Sequence, residues 1–197
     1  MKLNERLPGG VSVRGRFYRL NLDFRNVLSF METLSRDDLL PEARDYLALK
    51  CLMKKPPKNT VEILAAVRAL LFPETKKTAA KEKLTDFTQD ADLIRAAFLQ
   101  CYGINLFRDD LHWMEFSSLL AGLPEGSRYS EVLGIRSRPM PKPTKWNAEE
   151  RQWLAKAKAE YAVRLTDREK EESLRNGLRS VAASLLALAE KGGGGNA

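Results

Sequence analysis

The one histidine of the chain, His112, stands three residues from Asp109 and three from Glu115. On a helix these positions are neighbours, so an imidazole and two carboxylates could pass a proton or hold a metal weakly. One histidine cannot build a histidine-rich metal site within one chain. The more economical reading is a partly exposed helical imidazole near acids. The pairs Asp37–Asp38 and Asp109–Asp110 offer the carboxylates that acid–base catalysis uses. Both fall at expected helix starts, where a negative charge complements the helix dipole without any catalytic role. Cys51 and Cys101 lie far apart in apolar helical patterns and form no C-x-x-C pair. They read as reduced cytosolic thiols, buried as small hydrophobes. No Gly-rich phosphate loop, dinucleotide fingerprint or G-x-S-x-G elbow occurs. The expectation is therefore no enzyme, no cofactor and no metal site.

Binding patterns are better represented. Leu174, Leu178, Val181, Leu185 and Leu188 are spaced 4, 3, 4, 3. That is a short heptad stripe, suited either to a partner helix or to this protein's own body. Trp113, Phe116 and Leu120 line one expected helix face. With Tyr129, the two aromatics make either a docking surface or core.

The formal net charge is +7, with a sequence pI near 9.5. Cations cluster at Arg14, Arg16 and Arg19, at Lys54, Lys55 and Lys58, and at Arg136, Arg138, Lys142 and Lys145. Acids are interspersed almost everywhere else, so solubilising charge or protein contact is preferred over nucleic acid. Hydrophobic residues at 44% and charged residues at 30% match a globular chain rather than a disordered one. The start, Met1 to Gly15, is polar and basic without an apolar signal core. The apolar runs are too short to span a bilayer, and no membrane partner is expected.

The elements that must position these residues follow from periodicity. Residues 1–22 form an N-terminal hairpin, with Val11 and Val13 on one arm, Arg14-Gly15 as the turn, and Phe17, Tyr18, Leu20 and Leu22 beyond it. Such a hairpin must pack on helices to be stable. Residues 23–73 are an N-terminal helical part. Asp23 caps a helix carrying Phe24, Val27, Leu28, Met31 and Leu34. Pro41 opens a second, with Ala43, Tyr46, Leu47 and Leu52. Asn59 and Glu62 start a third, with Ile63, Val67, Leu70 and Leu71, which Pro73 stops. Residues 74–87 read as a flexible linker. In the central helical core, 88–137, Thr88 opens a helix with Ala91, Ile94, Phe98 and Cys101 inward and Gly103 as its C-cap. Asp109 opens the helix of Trp113 and Phe116, and a short one spans Ser127 to Ile135. Alternating Pro139, Pro141 and Pro143 make 138–146 an extended strut. Residues 147–191 are C-terminal helices. Asn147 with Glu150 starts the first, bearing Trp153, Leu154, Ala157 and Tyr161, and the Thr166–Glu169 capping box starts the second. Residues 192–197 are a Gly-rich disordered tail. The fold class expected is all-α, mainly a helical bundle, with a small N-terminal β-hairpin.

One succession of residues goes further. Gln89-Asp90-Ala91-Asp92-Leu93-Ile94-Arg95-Ala96-Ala97-Phe98 leads to Tyr102-Gly103-Ile104. His112-Trp113-Met114-Glu115-Phe116 and Leu119-Leu120-Ala121-Gly122-Leu123-Pro124 come next, and then Gly134-Ile135-Arg136-Ser137. This resembles the "gene product fifteen" family of tailed bacteriophages. Phe17-Tyr18 and Leu22-Asp23-Phe24-Arg25 resemble that family's opening hairpin and helix entry. The resemblance spans roughly Val11 to Tyr161 and leaves the linker and the last helix uncovered.

The resemblance implies a tail assembly chaperone. Such a protein holds the long, helical, aggregation-prone tape-measure protein until tail-tube subunits polymerise around it. The implied partners are the tape-measure protein, the major tail tube protein, and a frameshifted longer form of the chain itself. Lys191 followed by four glycines suits a purine-rich slippery message, and equally a plain flexible tail. The implied location is the host cytoplasm, with absence from the mature virion. The alternatives are a structural component of the virion tail or connector and, after that, a helical nucleic-acid-binding protein that uses residues 89 to 121.

Overall fold

The computed structural model describes residues 4–57, 60–73, 83–164 and 175. The chain divides into a unit of Met1–Tyr161 and a unit of Ala162–Ala197, and every element below belongs to the first. Strand β1 (Gly10–Val13) pairs antiparallel with β2 (Arg16–Arg19), with Val11 opposite Tyr18. Arg14 and Gly15 turn the chain at φ 49° and 76°. Two consecutive positive φ angles are what a two-residue hairpin loop demands, because they match the twist of the strands. Gly10 is required for a different reason. A Cβ there would lie 2.1 Å from the Tyr18 carbonyl oxygen.

Seven helices follow among the described residues: α1 (Phe24–Leu34), α2 (Pro41–Leu52), α3 (Val61–Leu71), α4 (Ala91–Tyr102), α5 (Trp113–Ala121), α6 (Arg128–Ser137) and α7 (Ala148–Glu160). The molecule is thus mainly helical, with a small N-terminal hairpin. The hairpin packs against α3, and Arg14 forms an ion pair with Glu62 on that helix.

Several boundaries follow the predicted signals. The Asp23 carboxylate accepts the Arg25 N–H at 2.9 Å and caps α1. Pro41 is the first residue of α2. Gly103, at φ 67°, closes α4: its N–H reaches the Leu99 carbonyl, and the Ile104 N–H reaches that of Phe98.

Other boundaries shift, each for an identifiable reason. The helix expected from Asp109 begins at Trp113 instead. The Asp109 carboxylate accepts the Asn105 N–H at 2.7 Å and folds a turn of its own. The chain then makes a strand-like bridge in which Phe24 N–H meets the Leu111 carbonyl and Trp113 N–H meets that of Leu22. The helix expected from Thr88 begins at Ala91. Asp86 accepts from the N–H groups of Thr88 and Gln89, which holds residues 86–90 in a separate turn. At α3 the capping position falls to Thr60, without a side-chain cap, and Asn59 lies outside the described residues. At α7 Asn147 holds the expected N-cap position, but without a side-chain cap. Its side chain turns back to the strut, donating to the Lys142 carbonyl and accepting from Thr144 N–H.

The inward faces also differ in part. In α2 only Leu52 of the predicted set is buried, joined by Ala48 and Leu49, while Ala43, Tyr46 and Leu47 are exposed. Trp153 on α7 is exposed, and Leu154 and Ala157 supply that helix's core contact. Cys51 and Cys101 are free and only partly buried. Of the stretch read as a linker, 74–82 lies outside the described residues, but Phe87 packs beside Trp113 and Phe116 at centroid distances of 6.3 and 6.2 Å.

Phe116 is the centre of the core. Its ring stacks on Phe24 at 4.7 Å, Phe98 at 5.2 Å and Trp113 at 5.8 Å. These rings come from α1, α4 and α5, so one aromatic stack joins helices on both sides of residues 74–82. The Trp113 indole N–H donates to the Leu71 carbonyl at 3.4 Å and ties the end of α3 to the same centre.

Candidate functional site

The sequence-predicted aromatic face is not on the surface. Trp113 is 6% and Phe116 1% exposed, so both are core residues and unavailable to a partner; Leu120 is partly buried against them. Buried rings at helical spacing stabilise a fold through area and stacking rather than recognition. Leu174, Leu178, Val181, Leu185 and Leu188 lie outside the described residues, as do the Thr166–Glu169 box and the glycine tail.

His112 has a structural occupation. It is the N-cap of α5: Nδ1 accepts the Met114 N–H at 3.2 Å, and the Glu115 carboxylate takes the His112 N–H at 3.2 Å. With Nδ1 accepting, the ring proton sits on Nε2, which donates to the Pro8 carbonyl at 3.1 Å. Both nitrogens are engaged in holding the hairpin entry and a helix start. Asp109 closes its own turn, and Asp110 pairs with Arg25 at 3.1 Å. Arg36 pairs with Asp38 at 2.5 Å and, by that hydrogen bond, holds its carboxyl below the ordinary range. Among the described residues no group of three or more His, Cys, Asp or Glu side chains is placed to hold a metal.

What the fold leaves open lies on α3. This helix, VEILAAVRALL, carries only two polar residues, Glu62 and Arg68. One face buries Ile63, Leu64, Val67 and Leu71. The other presents Val61, Ala65, Ala69 and Phe72, which are exposed, Val61 to 70%. Their spacing of 4, 4 and 3 makes them a continuous stripe. A helix apolar on all sides is ordinarily buried on all sides, so the exposed apolar face of α3 is not accounted for by the packing of the core.

The stripe forms one wall of a groove of about 980 Å³. Met31, Leu34 and Ser35 at the end of α1 form the other wall, and Ala65, Arg68, Ala69, Phe72 and Pro73 complete it. Each feature has a physical use. Ala65 and Ala69 are small and one turn apart, which lets another helix approach closely. Met31 is unbranched and adapts to irregular apolar surfaces. The exposed Arg68 guanidinium makes no ion pair among the described residues and stands at the edge of the apolar floor. The groove is lined mainly by apolar side chains, with Ser35 and Arg68 as its polar residues.

Sequence reading identified the buried stripe of α3 and missed the exposed one. The available signal was the scarcity of polar residues around the whole helix.

A family model described as "Bacteriophage Gp15 protein" matches residues 3–163. No curated protein and no solved structure matches.

Proposed function

The chain belongs to the bacteriophage Gp15 protein family, and from that premise we propose that it is a tail assembly chaperone that binds the tape-measure protein and promotes assembly of the tail tube. The observation that carries this reading is the exposed apolar stripe of α3 beside Met31 and Leu34. A tape measure is a long helical chain whose apolar faces must be covered before the tube closes round it. A groove floored by alanines and walled by Met31 and Phe72 covers one such face. Arg68 selects a helix with an acid at its border.

In this reading the protein acts by binding, without catalysis or a cofactor. The major tail tube protein and a frameshifted longer form of the chain are its further partners. It works in the host cytoplasm and leaves before the virion matures. No helix among the described residues is long and apolar enough to cross a membrane.

The test is co-expression with the tape-measure protein of the same phage, followed by affinity capture and sizing. A soluble tape measure that co-elutes with this chain is the expected result. A tape measure that precipitates alone, with this chain present in purified virions, would replace the reading with that of a structural tail component.

A further inference from the structure

The segment after α6, Arg138 to Trp146, reads RPMPKPTKW: three cations and no acid. It is neither helix nor strand, and Arg138 has φ −62° and ψ 123°, polyproline-type dihedrals. Its three prolines restrict the backbone further. Helix α7 fixes its course from behind. The Arg151 guanidinium donates to the Pro141 carbonyl, the Asn147 amide donates to that of Lys142 at 2.9 Å, and Thr144 N–H donates to the Asn147 side chain at 2.8 Å. The strut is therefore shaped before anything binds it.

Arg138, Lys142 and Lys145 are exposed and make no ion pair among the described residues. Trp146 is 94% exposed, and Met140 is exposed beside the same cations. Indole in water is costly, and a preorganised extended segment loses little entropy when it is covered.

We infer that this strut is a second docking surface, which takes an acidic, apolar-anchored segment of a partner protein. The carboxylates of that segment pair with Arg138, Lys142 and Lys145, and one apolar side chain covers Trp146. Glu149 and Glu150 in the first turn of α7 follow Trp146 directly, so the acids of the partner lie along Arg138 to Lys145 and an apolar side chain, not a carboxylate, meets the indole. Three cations are few beside the roughly six to ten phosphate contacts of a protein whose DNA affinity is strongly salt-dependent. The inference goes beyond the chaperone reading and does not depend on it, since the strut shares no residue with the groove of α1 and α3.

The experiment uses the full chain and three fluorescein-labelled probes: a peptide rich in Asp and Glu with a central Leu, the same peptide with Lys in place of each acid, and a single-stranded oligodeoxynucleotide. Phosphatidylglycerol vesicles are the fourth probe, read by co-sedimentation. The acidic peptide is expected to bind, to weaken by about tenfold or more in the Lys142→Glu/Lys145→Glu variant, and to weaken with added salt. Trp146→Ala should weaken binding while leaving the salt dependence unchanged. Because all three residues are exposed, the variants keep the wild-type unfolding transition. Ala69→Glu in the groove should leave peptide binding intact, which separates this surface from the tape-measure reading. Equal binding of acidic and basic peptides, unchanged binding by the charge-reversal variant, or preference for the oligonucleotide or the vesicles would overturn the inference.

Discussion

Arg136 and Asp90, 46 residues apart in the chain, meet as a bidentate pair: Nη1 to Oδ2 at 2.7 Å and Nη2 to Oδ1 at 2.8 Å. Asp90 is 1% exposed, and Arg136 is buried with it. The guanidinium also donates to the carbonyls of Leu84 at 2.8 Å and Tyr161 at 2.6 Å. One side chain of α6 therefore fixes the start of α4, the segment entering it and the last residue of the first unit. Lys158 closes the arrangement by donating to the Arg136 carbonyl at 2.6 Å. The hydrogen bond that Arg136 donates to the Asp90 carboxylate raises the guanidinium above its already high pKa, and burial pushes the neighbouring Tyr129 phenol up as well.

Breaking this pair from one side leaves a buried charge alone. Asp90→Asn and Arg136→Met should each cost about 3–5 kcal/mol of stability in urea denaturation. Arg136→Lys should rescue little, because one ammonium cannot reach a carboxylate bidentately and two separate carbonyls together. The double variant Asp90→Asn/Arg136→Met should cost less than the sum of its parts, but not nothing, since the Leu84 and Tyr161 carbonyls lose their donor. Simple additivity would show that the pair is not coupled as the geometry demands.

Asp86 supplies the pH dependence. Burial pushes its carboxyl up and is the largest single influence; the N–H groups of Gln89 and Thr88 and the Lys83 ammonium together outweigh it, and the carboxyl lies below the ordinary range. A depressed folded-state value means a contribution present above the unfolded carboxylate pKa of about 3.9 and lost as pH falls through the lower folded value. Asp86→Asn keeps an oxygen for both N–H groups and removes the titration. The difference in stability between wild type and this variant should therefore shrink as pH falls below about 4. A constant difference in urea midpoints across that range would assign the acid sensitivity elsewhere.

The cap at His112 can be separated into its two hydrogen bonds. His112→Ala should cost about 1 kcal/mol for the lost cap, plus the link to Pro8. His112→Asn restores an acceptor for Met114 N–H but does not reach Pro8. Hydrogen exchange should then show the Met114 amide protected again, with the N-terminal segment still loosened. Equal protection of both regions in the alanine variant would remove the histidine from this account.

These positions also show what the sequence could and could not reveal. Arg14-Gly15, Asp23, Pro41 and Gly103 act through their own backbone neighbourhoods, so local chemistry announces them. Arg136 looked like one more surface cation because its partners lie 25, 46 and 52 residues away. The start of α5 was displaced by a bridge between Asp23 and His112, another distant pairing. Trp113 and Phe116 carried a helical period that serves a docking face and a core equally, and only the approach of Phe24 and Phe98 decides between them. The outer stripe of α3 was legible in principle. Eleven residues with two polar positions cannot have one apolar face only.

Phe116→Ala tests the core assignment. Removing the ring that contacts Phe24, Phe98, Trp113 and Phe87 should cost about 3–5 kcal/mol. Partner capture should then fall only as far as the folded fraction falls, which parallel urea and capture measurements at reduced temperature would reveal. A stable variant that no longer captures the tape measure would return this face to the list of docking surfaces.

The decisive comparison sets the α3 groove against the leucine stripe of residues 174–188. Ala69 is exposed on a helix, and glutamate is a good helix former, so Ala69→Glu should leave the unfolding midpoint within about 0.5 kcal/mol of wild type. The new carboxylate would be desolvated whenever an apolar helix lay in the groove, and it stands beside Ala65 and Phe72 where no cation but Arg68 lines the wall. Tape-measure capture should drop by about tenfold or more. Ala69→Ser, similar in size and uncharged, should retain most of it. Leu178→Asp/Leu185→Asp makes the same intervention in the other candidate surface. Loss of capture in Ala69→Glu alone assigns the tape-measure contact to the groove. Loss in the leucine variant alone moves it to the C-terminal stripe and leaves the groove without that role. Loss in both, with wild-type folding of each, means that the two surfaces hold one partner together, and an intermediate affinity for each single surface should then be measurable with tape-measure fragments.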